Sequence, residues 1–368
     1  MPVRTAHATV IGADDVARAM RAELASVEPV VVLYFAGGRR DPRALAEAMQ
    51  RAFPGALVVG CTTAGEREGR AWRKGSVVAM ALGSEIVRDA AVAVIEDVRS
   101  RADVKDALAP LETHFGRPLS SLDPSQHVGL LLIDGLSNAE ERLMDRLGDL
   151  TDIPILGGSA GDDLTFTSTW VAKDGMAFTN AAVLLLLEPA VPFRAWKTQS
   201  FRPLDRTLRV TACDEAGRVV HAFDGKPAAA RYAEVLGIPP EELAHHFQNH
   251  PLGLMVGDEP FVRSPQQIRG ESVVFYCNVP EGTVLTVLEA SDIVEDTRRA
   301  LATAREELGG ASALIGFDCV LRTLEIETRG LVEPYGTIFE GIPTVGFSTY
   351  GEQFLGHVNQ TATMLLFG

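Results

Sequence analysis

The chain has 368 residues, with 34 Lys+Arg against 49 Asp+Glu and a net charge of −15. That acidity excludes nucleic acid and anionic membrane surfaces as main partners, because both select a basic face. A hydrophobic fraction of 46% with only 7% aromatics predicts an ordinary soluble protein built from aliphatic strands and Ala-rich helices, and the length favours two domains over one.

The amino terminus has no apolar signal core and runs into an acidic helical stretch. The longest apolar run, at 181–187, is too short to cross a bilayer, so no membrane insertion is expected. Cys61, Cys213, Cys277 and Cys319 form neither a CxxC nor a CxxCH pattern, which predicts buried thiols in a reducing cytoplasm and no covalent c-type haem.

In chain order, a strand at 30–35 precedes a helix at 42–53 carrying Leu45, Met49 and Ala52 on one face. A second strand at 56–59 enters the turn Gly60-Cys61-Thr62-Thr63-Ala64-Gly65-Glu66, and a strand returns at 76–82. The plan repeats with a strand at 128–133, a helix at 138–147 and a strand at 154–156. Next come Gly157-Gly158-Ser159-Ala160-Gly161-Asp162 and a returning strand at 181–187. A third copy has a strand at 313–320, a degraded linking segment and a strand at 343–345. It closes with Gly346-Phe347-Ser348-Thr349-Tyr350-Gly351-Glu352 and a strand at 362–367.

Different material separates the second and third copies. Strands at 208–211 and 219–223 flank a hairpin signal, Asp214-Glu215-Ala216-Gly217. Helices at 227–236 and 239–247 follow, then strands at 273–277 and 283–288 and a helix at 291–308. Pro203 marks a boundary near 201–206, giving domains 1–205 and 206–368. The expected fold class is α/β: mixed β-sheets covered by helices, built from repeated strand-helix-strand units in two tightly packed domains.

Each glycine turn pairs bare backbone N–H groups with a hydroxyl and a carboxylate at fixed positions. Thr62, Thr63, Glu66, Ser159, Asp162, Ser348, Thr349 and Glu352 are therefore candidate ligand-binding residues, and the three turns are expected to converge beside one inter-domain cleft. The carboxylates have a second reading, as acceptors for the amides of their own loops. Asp134, Asn138 and Asp318 sit at or just after strand ends, where open α/β sheets place ligands. Residues 157–161 spell GxSxG, but a nucleophile elbow needs a helix directly after the serine, and here a loop and a strand follow. Ser159 is not expected to be a nucleophile. No GxGxxG or GxxxxGK[ST] is present.

These turns resemble the FIST sensory family, which joins a FIST N part to a FIST C part. Residues 59–66 and 156–163 look like the signatures of the first part; Gly316-Phe317-Asp318-Cys319-Val320-Leu321-Arg322 and 346–352 look like those of the second. Within the family, His250-Pro251-Leu252-Gly253, Phe261-Val262-Arg263-Ser264-Pro265 and His357-Val358-Asn359-Gln360-Thr361 are similar to the NosP group of haem-binding nitric-oxide sensors. The resemblance implies a cytoplasmic, bacterial-type ligand sensor and no enzyme activity. Because both parts consume the sequence, it also implies regulation of a separate histidine kinase or cyclic-dinucleotide enzyme; a homodimer is open.

Haem b is expected from that resemblance, with His246, His250 or His357 as axial ligand and the neighbouring His245 or Cys319 as weaker choices. His246 and His250 would share a helix face only if the helix passed Pro251's neighbour, which proline disfavours. Arg263 and Arg322 suit the propionates, and would equally suit the carboxylate of an amino acid. The alternative is a FIST-type receptor for an amino acid or other metabolite, without haem, with Asn359 also near the ligand.

Overall fold

The computed structural model describes residues 2–368 and separates into two compact units. The first comprises Met1–Thr198, Arg298–Gly356 and Ala362–Gly368; the second comprises Gln199–Thr297 and His357–Thr361. The boundary expected at 205/206 lies near the first crossing, and the chain then returns twice to the first unit.

The first repeat contains β1 (Val3–Ala8), α1 (Ala13–Glu23), β2 (Pro29–Gly37), α2 (Pro42–Ala52), β3 (Leu57–Thr63), the hairpin β4 (Glu66–Glu68) and β5 (Ala71–Arg73), and β6 (Val77–Gly83). Asp41 caps α2 by accepting from the N–H groups of Arg43 and Ala44, with Pro42 pre-set for the first turn. The second repeat reproduces this order. It runs through β7 (Val87–Glu96), α3 (Lys105–Phe115), β8 (Val128–Ile133), α4 (Glu140–Gly148), β9 (Ile155–Ser159), the hairpin β10 (Val171–Lys173) and β11 (Met176–Phe178), and β12 (Ala181–Pro189).

The third repeat opens with β13 (Phe193–Gln199), after which the second unit is inserted. That unit holds β14 (Phe201–Asp214), β15 (Val219–Phe223), β16 (Lys226–Pro227), α5 (Ala228–Leu236), α6 (Leu243–His246), β17 (Leu252–Val256), β18 (Glu259–Arg263), β19 (Pro265–Arg269), β20 (Ser272–Phe275) and β21 (Val284–Ala290). Its strands follow the order β18-β17-β21-β14-β15-β20-β19. Pro203 does not end a domain as expected. It lies inside β14, where the register against β21 shifts between Pro203 and Thr207, so an irregularity absorbs the missing N–H.

The third repeat resumes with α7 (Ile293–Leu308), β22 (Ala313–Cys319), α8 (Val320–Thr328), α9 (Val332–Gly336), β23 (Thr344–Thr349), β24 (Glu352–Phe354), β25 (His357–Val358) and β26 (Thr361–Phe367). The linking segment read as degraded is thus helical. The sequence hides it because α8 buries Arg322, Thr323 and Glu325 beside Val320 and Ile326, leaving no apolar stripe.

Each repeat forms its own mixed sheet: β1-β6-β2-β3-β10-β11, β24-β9-β8-β12-β7 and β13-β26-β22-β23-β4-β5. In each, a parallel pair (β2/β3, β8/β9, β22/β23) is flanked by the antiparallel returning strand. The hairpin after each turn leaves its own sheet and extends another. β4 joins β23, β10 joins β3 and β24 joins β9, which closes a cyclic exchange among the three repeats.

The strands are buried on both faces, as mixed α/β sheets require. Val31, Leu33 and Phe35 of β2 face a central core shared with Leu130, Leu132, Ile315, Phe317, Val345 and Phe347. Val32 and Tyr34, pointing the other way, pack with Met20, Leu45 and Met49 of α1 and α2. Phe35 meets Phe347 at 4.7 Å and Phe317 at 6.3 Å between ring centroids, an aromatic cluster where strands of different repeats touch.

Candidate functional site

The three glycine turns meet, and their backbones hydrogen-bond in a closed ring. Gly161 N donates to Thr62 O (2.9 Å) and Asp163 N to Thr63 O (3.1 Å). Ser159 N donates to Gly351 O (2.8 Å) and Tyr350 N to Ser159 O (3.1 Å). Ser348 N donates to Gly65 O (2.7 Å) and Ala64 N to Ser348 O (3.1 Å). This approach requires glycine: a Cβ on Gly161 would lie 2.7 Å from Ala64 N. The repeated wording of the turns therefore encodes a mutual backbone contact within the first unit.

Their side chains do not share a target. Thr62 Oγ1 accepts from Trp170 N (2.9 Å). Ser159 Oγ donates to Glu140 Oε1 (3.2 Å) and accepts from Gln353 Nε2 (3.0 Å). Ser348 Oγ donates to Thr323 Oγ1 (2.9 Å). All three hydroxyls are buried, and the loop after Ser159 leads to β10 with no helix, so the nucleophile-elbow geometry is lacking among the described residues.

The turn carboxylates serve their own loops. Glu66 accepts from Thr63 Oγ1 (2.5 Å), Ser76 N (2.9 Å) and Ser76 Oγ (2.7 Å), and burial raises its pKa above the ordinary value. Glu352 accepts from Thr349 Oγ1 at 2.5 Å. Asp162 accepts from Tyr350 Oη, Thr165 Oγ1 (2.8 Å) and the N–H groups of Phe166 (2.9 Å), Thr167 (2.6 Å) and Ser168 (3.0 Å). Burial alone would raise its pKa, but these donors, Tyr350 first, outweigh burial and hold it low. Asp134 likewise accepts from Thr169 Oγ1, Leu136 N (3.0 Å) and Asn180 N (2.5 Å). Asn138, just past it, adopts φ 52°.

Asp318 is different. It is the penultimate residue of β22, paired with Ser348 of β23, and Arg67, brought by the exchanged strand β4, lies opposite Gly346 of that same strand. Arg67 Nη2 is 3.2 Å from Asp318 Oδ2, and both side chains are fully buried. Tyr335 Oη donates to Asp318 Oδ1 (2.6 Å), and Arg322 Nη2 lies 3.4 Å from Tyr335 Oη. The Arg67 guanidinium sits 3.9 Å above the Phe339 ring and 5.6 Å from Trp72. Gly316 makes room for it, since a Cβ there would fall 2.2 Å from Nη2. Burial would lower Arg322's pKa, but Tyr335 and Asp318 outweigh it and hold it high, while Tyr335 is pushed up to about 12, mainly by burial. Arg67 Nε and Nη1 and the indole N–H of Trp72 are buried without an acceptor among the described residues.

The rim of this cluster is fastened by exposed ion pairs: Arg70 to Glu333 (3.1 Å) and Glu340 (3.6 Å), and Lys74 to Glu327 (2.7 Å). Such pairs hold weakly and are screened by salt. The positions equivalent to Arg67, each opposite the first glycine of another turn, are Ala172 opposite Gly60 and Gln353 opposite Gly157. Only the third repeat places a charge there. A cavity of about 690 Å³ lies instead at the amino ends of β2 and β3, lined by Glu28, Gln50, Leu57 and Asp174 among others.

In the second unit, α6 ends at His246, yet His250 N donates to His246 O (2.8 Å) and the two imidazoles stack at 5.7 Å. A single further turn thus survives next to Pro251, and the expected separation of these rings does not occur. His250 Nδ1 lies 3.3 Å from Leu288 O, which leaves Nε2 as the nitrogen for a metal. His245 is exposed. His357 is buried, with Nε2 3.4 Å from Asn359 Nδ2, and Arg263 Nη1 donates to His357 O (3.3 Å). Arg263 and Arg322, grouped in the sequence reading as propionate partners, belong to different units. Cys319 is a buried thiol preceding α8.

Sequence reasoning found Arg322 and Asp318 but missed Arg67, Trp72, Tyr335 and Phe339. The available signal was an arginine directly after the first turn's closing carboxylate; nothing in the spacing links it to Asp318.

The described residues thus form a repeated α/β scaffold with polar groups at its strand ends and a buried ionic cluster in the third repeat. Residues 30–226 match the FIST N domain and residues 228–355 the FIST C domain, and the chain belongs to the FIST family, whose domains are small-ligand sensory domains. The junction of the two matches falls within the inserted unit. An uncharacterized protein of Methanocaldococcus jannaschii is 24% identical over 276 residues, 69% of this chain and 54% of that protein. The chain thus spans about half the length of this curated relative. Cyanuric acid hydrolase from A. caulinodans aligns over 99% of this chain and 98% of its own, at a TM-score of 0.36 and 10% identity. No helix among the described residues is long and apolar enough to cross a membrane.

Proposed function

We propose that the protein is a receptor for a small metabolite held in the third repeat, and that its bound state regulates a separate histidine kinase or cyclic-dinucleotide enzyme. One observation carries this reading. The ring of turns is built alike in all repeats, while the position facing each first glycine differs, and of the three residues there, Arg67, Ala172 and Gln353, Arg67 alone is charged. A shared scaffold with one specialised site is the expected form of a receptor with a single ligand. The saturated hydrogen bonding of Ser159 supports a role other than catalysis. The cysteines stand as thiols, with Cys61, Cys277 and Cys319 buried, which fits a reducing cytoplasm.

The test is a thermal-melt screen of the full chain against small metabolites, repeated with Arg67→Met. A compound that raises Tm in the wild type and not in the variant supports the reading. Compounds that act equally on both place the ligand elsewhere.

A second reading, haem binding with nitric oxide as ligand, is favoured by His250, whose Nδ1 faces a backbone carbonyl as metal-bound imidazoles usually do. His246 and His250 would supply the axial imidazole and Arg263 a cation. Haem would supply the open iron position for a diatomic gas. The absorption spectrum of protein expressed with haem precursor tests this: a Soret band that shifts in His250→Ala supports it, and no band in the wild type removes it.

A further inference from the structure

Resting on the metabolite-receptor reading, we infer that the ligand is a small oxyanion, specifically a carboxylate, received by Arg67 and the indole N–H of Trp72. In this cluster, among the described residues, Arg67 Nε, Nη1 and Nη2 and Trp72 Nε1 are buried donors without a hydrogen-bond acceptor, and Asp318 Oδ2, 3.2 Å from Arg67 Nη2, is a buried acceptor without a hydrogen-bond donor, so donors outnumber acceptors. Asp318 is already engaged, one oxygen by Arg67 and the other by Tyr335. An occupant that completes this set must bring acceptor oxygens.

Charge leads to the same answer. Arg67 and Arg322 bring two guanidiniums to one fully buried carboxylate, Asp318, while Glu325 is drawn to the rim by Arg329 at 2.6 Å. A cation or protonated amine would be repelled, and an apolar occupant would leave the buried donors unpaired. The Arg67 guanidinium lies 3.9 Å from the centre of the Phe339 ring, with Nε and Nη1 each left to donate a charge-assisted hydrogen bond to an acceptor oxygen. Neither Ala172 nor Gln353 offers such a group in the equivalent places. Admission of the ligand requires the rim pairs of Arg70 and Lys74 to part.

The test uses the full chain titrated with sodium acetate, sodium succinate and sodium sulfate, with acetamide as the neutral isostere and sodium chloride to match ionic strength. Tryptophan emission and Tm are followed. A saturable response to a carboxylate is expected, at least tenfold weaker in Arg67→Met and unchanged in the surface variant Arg88→Met. Trp72→Phe, which keeps the ring and removes the N–H, should weaken binding severalfold and provides the readout if Arg67→Met does not fold. Acetamide acting as strongly as acetate, or a carboxylate response that survives both variants, would overturn the oxyanion assignment while leaving the receptor reading in place. If no carboxylate acts but a neutral metabolite raises Tm through Arg67, only the ligand class is wrong. Silence from every compound, with wild type and Arg67→Met melting alike, removes both.

Discussion

Arg67 Nη2 lies 3.2 Å from Asp318 Oδ2 with both side chains fully buried, although Arg67 comes from the first repeat's hairpin and Asp318 from a strand of the third. The pair exists because the hairpin after each glycine turn is exchanged onto another repeat's sheet. Losing one member of a buried ion pair typically costs about 3–5 kcal/mol, because the partner stays behind uncompensated. Asp318→Asn should show that loss in urea denaturation, since it leaves two buried guanidiniums without a fully buried counter-charge. Arg67→Met should cost less, because Tyr335 still donates to Asp318 and Arg322 remains close. The reverse order would mean that Arg322 does not share Asp318's charge.

The ring of turns makes a steric prediction. Gly161→Ala places a Cβ 2.7 Å from a backbone nitrogen of the neighbouring turn and should destabilise by about 1–3 kcal/mol, the usual cost of overpacking. Gly148→Ala, at the end of α4 with nothing within 4 Å of the new Cβ, should be neutral or stabilising by up to about 1 kcal/mol. Comparing the two midpoints checks the contact, and equal effects would argue that the turns do not hold together in solution.

Glu66 gives a pH dependence. Its folded pKa is raised by burial, so its favourable contribution is complete below the unfolded value of about 4.3 and declines as pH rises through the folded pKa. The Tm difference between wild type and Glu66→Gln should therefore move in the variant's favour between about pH 4 and pH 7. A difference moving the other way would show that Thr63 and Ser76 stabilise the ionised form more than burial opposes it.

Ser159 should not react with fluorophosphonate probes, because its hydroxyl is buried between Glu140 and Gln353. Ser159→Ala should cost about 1 kcal/mol or somewhat more, the worth of its lost hydrogen bonds. Labelling of the wild type that disappears in this variant would establish a nucleophile.

Much of the scaffold was legible in the sequence. Strand 128–133 and the helices at 42–53 and 138–147, one before each of the first two turns, follow from hydrophobic period, and the three turns announce a repeat because backbone crowding admits only small residues at fixed places. Local chemistry also explains why Glu66, Asp162 and Glu352 recur: each takes hydrogen bonds from its own loop. What the sequence could not determine is which repeat each hairpin joins. Backbone pairing of a three-residue strand such as β4 leaves no period to read, and its partner β23 is remote along the chain. The hairpin exchange decides that Arg67 faces Asp318, that Ala172 and Gln353 take the matching places, and that the hydroxyls of Thr62, Ser159 and Ser348 point to separate partners. Side-chain chemistry was written in the chain; the assembly of Arg67, Asp318 and Tyr335 into one buried cluster was decided by tertiary pairing.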